Sequence, residues 1–227
     1  MIASETSTRT FLIVWKGKAD YIDFAPQELK SLLSMYFKWF RVLPVQDKLS
    51  LQFSMLEIKS DEVPQLQQVI DRSVMIRTFL ELYSQTTKGI EGVVADLAAN
   101  KDFKILHTSQ LDPVAIPSTY CIQITGEYKS ITVEEQKLEL QRLSSLNFSG
   151  VWTAPNPDKQ FILIHNYTVD KKTGTTAYDQ SFFGLEAVKT LKSVKKSFNS
   201  QYSLANRAYL GPTTTDHDMA FLMVQSV

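Results

Sequence analysis

The sequence predicts an α+β fold built as two small domains, and three observations carry that expectation. Apolar residues make up 44% of the 227 positions, with 13 Phe, 9 Tyr and 3 Trp, enough to fill a real core. Short aromatic and β-branched runs alternate with segments whose apolar residues recur at helical spacing. These elements fall into two successive groups that part near residue 87.

The first group opens with a strand over 9–17, where Phe11, Ile13, Val14 and Trp15 lead to Gly17. Pro26 starts a helix whose Leu29, Leu32, Leu33, Tyr36, Phe37 and Phe40 follow the i, i+3, i+4, i+7 rule. A hairpin follows: 40–45, a turn at Gln46-Asp47, then Leu49, Leu51, Phe53, Met55 and Ile58. Ser60 or Asp61 is placed to cap a second helix that holds Pro64 in its first turn and turns Val63, Leu66, Val69 and Ile70 inward. A strand over 77–85 closes a β-α-β-β-α-β order, the ferredoxin-like split pattern.

The second group begins with an amphipathic helix over 88–100, with Ile90, Val93, Val94, Leu97 and Ala98 on one face. The segment 101–117 has two prolines and little periodicity and reads as a loop. Tyr120, Ile122 and Ile124 alternate as a strand. Thr132 with Glu135 spells a capping box, with Val133, Leu140 and Leu143 inward on the helix that follows. Strands over 151–153 and 160–169 flank a Pro155-Asn156-Pro157 turn. The polar segment 170–180 reads as a loop, and Phe182-Phe183-Gly184 resumes order. The tail is Lys-rich and ends in a helix over 216–227.

Composition excludes several functions. With 24 basic and 24 acidic side chains the formal net charge is zero, so no general attraction to nucleic acid exists and any such binding needs a local basic face. The single cysteine, Cys121, rules out an intrachain disulfide and a multi-cysteine metal site. It reads as a strand cysteine in a reducing compartment rather than a nucleophile. No apolar run approaches the roughly 20 residues of a membrane span, and the first ten residues lack a signal-peptide core, so an intracellular, cytoplasmic protein is expected.

Several segments then match one family in order. Phe24 with Glu28-Leu29-Lys30-Ser31-Leu32, and Asp71-Arg72-Ser73-Val74 followed by Phe79-Leu80-Glu81-Leu82-Tyr83, supply the first matches. Ser118-Thr119-Tyr120 with Ile122 and Ile124, Leu146-Asn147-Phe148-Ser149-Gly150, and Pro157 with Phe161-Ile162-Leu163 continue them. Phe183-Gly184 and Tyr209-Leu210-Gly211-Pro212-Thr213-Thr214 complete the series. Across 10–225 the chain resembles the N-terminal half of the tRNA guanine-N2 methyltransferases of eukaryotes and archaea. That resemblance implies a ferredoxin-like domain over 1–87, a THUMP-like RNA-binding domain over 88–185, and a basic linker over 186–227 leading to a methyltransferase domain. It implies tRNA as partner, gripped by shape and backbone, and a methyltransferase domain or subunit in cis or in trans.

The chain also departs from the pattern. Leu185 stands where the family has Arg, Ala205-Asn206 precede the Arg207-Ala208-Tyr209 triplet in place of basic residues, and Thr214 replaces Ser. The family's glycine-rich S-adenosylmethionine loop and Asp-Pro-Pro-Tyr motif have no counterpart in the 227 residues, so no cofactor and no catalysis are expected of this chain alone. The alternative reading is a non-catalytic paralogue serving as a structural or regulatory subunit of a larger complex.

The candidate RNA contacts are Lys189, Lys192, Lys195, Lys196 and Arg207, in a stretch without acid between Glu186 and Asp216. Lys192, Lys195 and Lys196 share a helix face if that stretch is helical, as phosphate binding requires. Lys171 and Lys172 in the polar loop form a second cluster. Tyr202 and Tyr209 serve packing rather than base stacking, and Trp15, Trp39 and Trp152 are assigned to the core or a domain interface. Asp216-His217-Asp218 reads as a helix cap, since adjacent residues point apart and cannot ligate one metal together. His107 and His165 stand far apart in sequence, and no Ser-His-Asp constellation is legible.

Overall fold

The computed structural model describes residues 7–16, 23–43, 52–108, 118–154, 156–169 and 173–188. They divide into two compact units: the described residues up to Phe79 with Ala187 and Val188, and Leu80–Glu186.

The first unit holds β1 (Thr8–Trp15), α1 (Ala25–Tyr36), β2 (Phe40–Leu43), β3 (Phe53–Lys59), a 3-10 turn (Ser60–Gln65), α2 (Leu66–Arg72) and the start of β4 (Ile76–Thr86). Its strands lie in the order β2-β3-β1-β4, as the split β-α-β arrangement requires. β1 pairs antiparallel with β3 from Thr8↔Lys59 to Val14↔Phe53, and β2 pairs antiparallel with β3. Phe11, Ile13 and Trp15 of β1 meet Leu29, Leu32 and Leu33 of α1 and Leu66 and Val69 of α2 in one core. Leu56 and Ile58 carry β3 into that core, so its buried phase includes Leu56 rather than Met55.

The second helix starts differently from the expectation. Neither Ser60 nor Asp61 caps it. The Ser60 hydroxyl donates instead to the Ser7 carbonyl at 2.7 Å, because the end of β3 lies beside the start of β1. With Pro64 inside it, the entry winds as a 3-10 turn before the α-helix begins at Leu66.

Glu28 ties this unit together from inside. Its carboxylate is 1% exposed and accepts from the Ser73 hydroxyl (2.8 Å), the Val74 amide (2.7 Å) and the Met75 amide (3.1 Å). Ser73 in turn accepts from the Ile76 amide at 2.8 Å. Thus Glu28 in α1 satisfies the backbone donors released between the end of α2 and the start of β4. Burial raises its pKa, against the lowering effect of these bonds.

The second unit contains the rest of β4, α3 (Gly89–Ala99), α4 (Lys101–His107), β5 (Thr119–Glu127), α5 (Val133–Ser144), β6 (Val151–Trp152), β7 (Lys159–Val169) and β8 (Thr176–Glu186). The strand order is β4-β8-β7-β5-β6. β5 runs parallel to both β6 and β7, and α5 supplies the crossover that parallel neighbours need. β7 and β8 are an antiparallel hairpin, and β8 also pairs antiparallel with β4. Ile90, Val93, Leu97, Phe103, Leu143, Phe161, Leu163 and Phe183 form the core.

The capping box on α5 is present: the Glu135 amide donates to Thr132 Oγ1 and the Thr132 amide donates to Glu135 Oε2. Three other expectations need correction. Residues 101–107, read as loop, are helix α4, capped by Asn100 Oδ1 on the Phe103 amide and anchored by Phe103 and His107 one turn apart. Two turns give too few apolar positions for periodicity to register. Thr176–Gln180, also read as loop, is the first half of β8; its polar side chains lie on a partly open hairpin, so alternation of apolar residues is weak there. Val133, expected inward, is 59% exposed, because α5 meets the core through its C-terminal half, at Leu140 and Leu143.

Candidate functional site

All seven cations expected to contact RNA lie outside the described residues: Lys171, Lys172, Lys189, Lys192, Lys195, Lys196 and Arg207. The same holds for Tyr202, Tyr209 and the Asp216-His217-Asp218 triplet. The chemistry on view sits in three constellations of the second unit.

The first is a buried relay that sequence spacing does not reveal. His165 on β7 has Nδ1 2.6 Å from Ser181 Oγ on β8 and Nε2 2.8 Å from Glu139 Oε2 on α5. The Tyr178 hydroxyl stands 2.7 Å from Ser181 Oγ and accepts from the Gly89 amide at 3.0 Å. The Gly89 N–H donates to Tyr178, and the contacts run on through Ser181 Oγ and the His165 ring to the Glu139 carboxylate. A serine, a histidine and a carboxylate in contact suggest nucleophilic catalysis, but Ser181 is 0% exposed and presents no surface to a substrate. The relay therefore fastens α3 and α5 to the β7–β8 hairpin.

His107 anchors the second constellation. Its Nε2 lies 3.0 Å from the Tyr83 hydroxyl, and its ring packs edge-on against Phe161. Burial, with the nearby Lys159 charge, lowers its pKa to about 4, so the ring is neutral at pH 7. Cys121 is half-buried with its thiol pKa raised by burial and by the charge of Glu186, the opposite of an activated nucleophile. Among the described residues no group of three or more His, Cys, Asp or Glu is placed to hold a metal ion.

The third is a row on the sheet. Trp152 of β6, Tyr120 of β5 and Lys159 of β7 are successive register partners across three parallel strands. Register partners in parallel strands share a face, so the three side chains leave the sheet on the same side from neighbouring positions. The Tyr120 ring meets Trp152 edge-on at 5.7 Å between centroids and stacks on Phe148 at 5.5 Å. Lys159 Nζ donates to the Leu106 carbonyl at 3.1 Å and lies 3.4 Å from His107 Nδ1. Trp152 is 47% exposed and so outside the core: β6 is only two residues long and, among the described residues, ends the strand order, so one side of the indole has no neighbouring strand there. Trp15, by contrast, is in the core at 4% exposure, and Trp39 is 38% exposed.

Position 185, arginine in the resembling family, is a leucine on β8 that packs against the second core. Gly150, at the end of the Leu146–Gly150 segment, has φ +114 and lies so close to the Ser118 carbonyl that a Cβ would collide with it.

No protein-family model matches the chain. It is 25% identical over 201 residues to the tRNA (guanine(10)-N(2))-methyltransferase TRMT11 of Xenopus laevis, covering 88% of this chain and 39% of that protein. To the human TRMT11 it is 23% identical over 206 residues, covering 90% of this chain and 41% of the relative. Two solved structures also align. PH1313 from Pyrococcus horikoshii does so with a TM-score of 0.44 at 10% identity, over 78% of this chain and 54% of that one. A 4-thiouridine synthetase–RNA complex with bound ATP gives 0.36 at 16% identity, over 79% and 42%. The chain spans about two-fifths of the length of the curated relatives it matches. Over about nine-tenths of its own length, this chain is homologous to the TRMT11 tRNA (guanine(10)-N(2))-methyltransferases.

Proposed function

We propose that this chain is the tRNA-binding, N-terminal part of a tRNA guanine-N2 methyltransferase, acting in the cytoplasm and non-catalytic on its own. The observation that carries this reading is the homology itself, which runs through both units rather than through one shared motif. In this reading 1–87 is the ferredoxin-like domain and 88–185 the THUMP-like domain. The basic stretch 186–227 presents Lys189, Lys192, Lys195, Lys196 and Arg207 to tRNA phosphates, with Lys171 and Lys172 as a second contact. Methyl transfer then belongs to an S-adenosylmethionine-binding domain in cis or in trans, since no glycine-rich cofactor loop or Asp-Pro-Pro-Tyr motif occurs in these 227 residues.

Two observations favour the second reading, a paralogue kept as a structural or regulatory subunit. Leu185 has turned a family arginine position into a core contact, and net charge is zero. A tRNA titration at two salt concentrations separates the two readings. The methyltransferase reading expects weak, salt-sensitive binding whose slope flattens by about two to three when Lys192, Lys195 and Lys196 are all changed to Gln, at roughly 0.7–0.9 per phosphate contact. Absence of tRNA binding by the unaltered chain at moderate salt would reject it in favour of the paralogue.

A further inference from the structure

The Trp152–Tyr120–Lys159 row has the makings of a ligand site. The indole is half-exposed, and the Tyr120 ring stands nearly perpendicular to it rather than stacked over it. Among the described residues the Tyr120 hydroxyl has no hydrogen-bond partner, and burial raises its pKa, so it stays protonated and able to donate. Lys159 is held by a carbonyl and by a neutral imidazole, with no carboxylate in ion-pair distance among the described residues. An ammonium has three donors, and these contacts engage two. The nearest acid in sequence, Asp158, is one residue off the row and accepts from the Thr119 amide and hydroxyl.

An exposed aromatic ring, a phenol donor and an uncompensated cation in line is the chemistry of a nucleotide, not of an apolar peptide. The indole matches a base, and the ammonium matches a phosphate. Trp152 and Lys159 are two strand spacings apart, roughly 9–10 Å between Cα atoms, which long side chains close to the span of a single nucleotide. A paired base cannot reach such a ring, because both its faces are occupied in the helical stack; an unpaired one can.

We propose that Trp152, Tyr120 and Lys159 form a subsite for one unpaired RNA nucleotide, the base stacked on the Trp152 indole and its phosphate on the Lys159 ammonium. The subsite rests on the tRNA-binding reading, to which it adds single-strand preference and a contact independent of the basic tail. Stacking is sequence-tolerant, so the subsite selects for an exposed base rather than for a base identity.

The test uses the full 227-residue chain with Trp39→Phe, so that emission comes from Trp152 and from Trp15, which is 4% exposed. The probes are hexaadenylate and a blunt RNA duplex of the same length. Hexaadenylate is expected to quench Trp152 emission while the duplex does not. Trp152→Ala, which lacks the reporting indole, is followed by the anisotropy of fluorescein-labelled hexaadenylate and is expected to weaken its binding roughly 5- to 150-fold, the range for loss of one base–aromatic stack. Trp152→Phe keeps a ring and retains most of the affinity, and a matching melting curve for this variant controls for folding. Lys159→Gln lowers the salt slope by about 0.7. Equal quenching by the duplex, or undiminished hexaadenylate binding by Trp152→Ala, overturns the subsite. A protein-docking role for this edge would give the second of these results. Failure of the tRNA-binding reading shows separately, as no binding of tRNA by the unaltered chain.

Discussion

Removing the Glu28 carboxylate tests the reading of the first unit most directly. The Glu28→Ala substitution withdraws the acceptor from two backbone amides, Val74 and Met75, and from the Ser73 hydroxyl, all buried. The Ser73 hydroxyl can rotate toward another acceptor, but the two amides cannot. A buried donor left unsatisfied costs about 1–3 kcal/mol, so the two amides together cost about 4 kcal/mol, less whatever water entering the vacated space restores. In a unit of this size about 4 kcal/mol corresponds to a fall in melting temperature of roughly 15 °C or more. Glu28→Gln keeps one oxygen and sets an NH2 against an amide donor, so its loss falls between wild type and Glu28→Ala. The pH dependence has a definite sign. Burial raises the pKa of Glu28, so the folded state holds the proton more tightly than the unfolded chain. The resulting stabilisation is present below the unfolded pKa and is lost as pH rises through the folded one, and Glu28→Gln abolishes it. Thermal unfolding of the three proteins, followed by circular dichroism across acidic pH, measures both effects. A Glu28→Ala melting temperature within about 2 °C of wild type would refute the network and, with it, the pairing of the two sequence segments it joins.

Two further outcomes concern the second unit. His107, its pKa lowered to about 4 by burial and by Lys159, stabilises the fold above pH 6.5 and loses that contribution as pH falls from 6.5 toward 4; an NMR titration of its ring protons should show a midpoint near 4, and one between 6 and 7 would mean the ring is not buried against Phe161. Gly150→Ala forces a Cβ against the Ser118 carbonyl at positive φ, and should lower stability by about 1–3 kcal/mol or more in urea unfolding; an unchanged midpoint would show that β6 is not held to β5 as described.

How far residues alone specified this protein varies with the distance over which the physics acts. Local periodicity and local chemistry were legible. The apolar stripe of α1, that of α3 and the Thr132–Glu135 capping box depend on neighbours within two helical turns, so they can be read from spacing. The β-α-β-β-α-β order was legible for the same reason, since alternating runs of two periods fix element type in sequence. Alternation within β3 named Met55, but the sheet register turned Leu56 to the helices, because only pairing with β1 decides which face is buried.

Contacts between distant positions were decided by the tertiary structure alone. Glu28 and Ser73-Val74 belong to two separate motif matches, and only the fold shows that they are two ends of one hydrogen-bond network. Ser181, His165 and Glu139 carry no spacing signal, because a strand pair and a crossover helix bring them together, and only burial removes Ser181 from catalysis. Trp152 is ambiguous in sequence: an aromatic residue beside a short strand suits a core as well as a surface. Its exposure follows from β6 being the last strand in the order among the described residues, where an indole has a neighbouring strand on one side only. Lys159 gains its meaning the same way, from a register that sets it one strand from Tyr120 and two from Trp152.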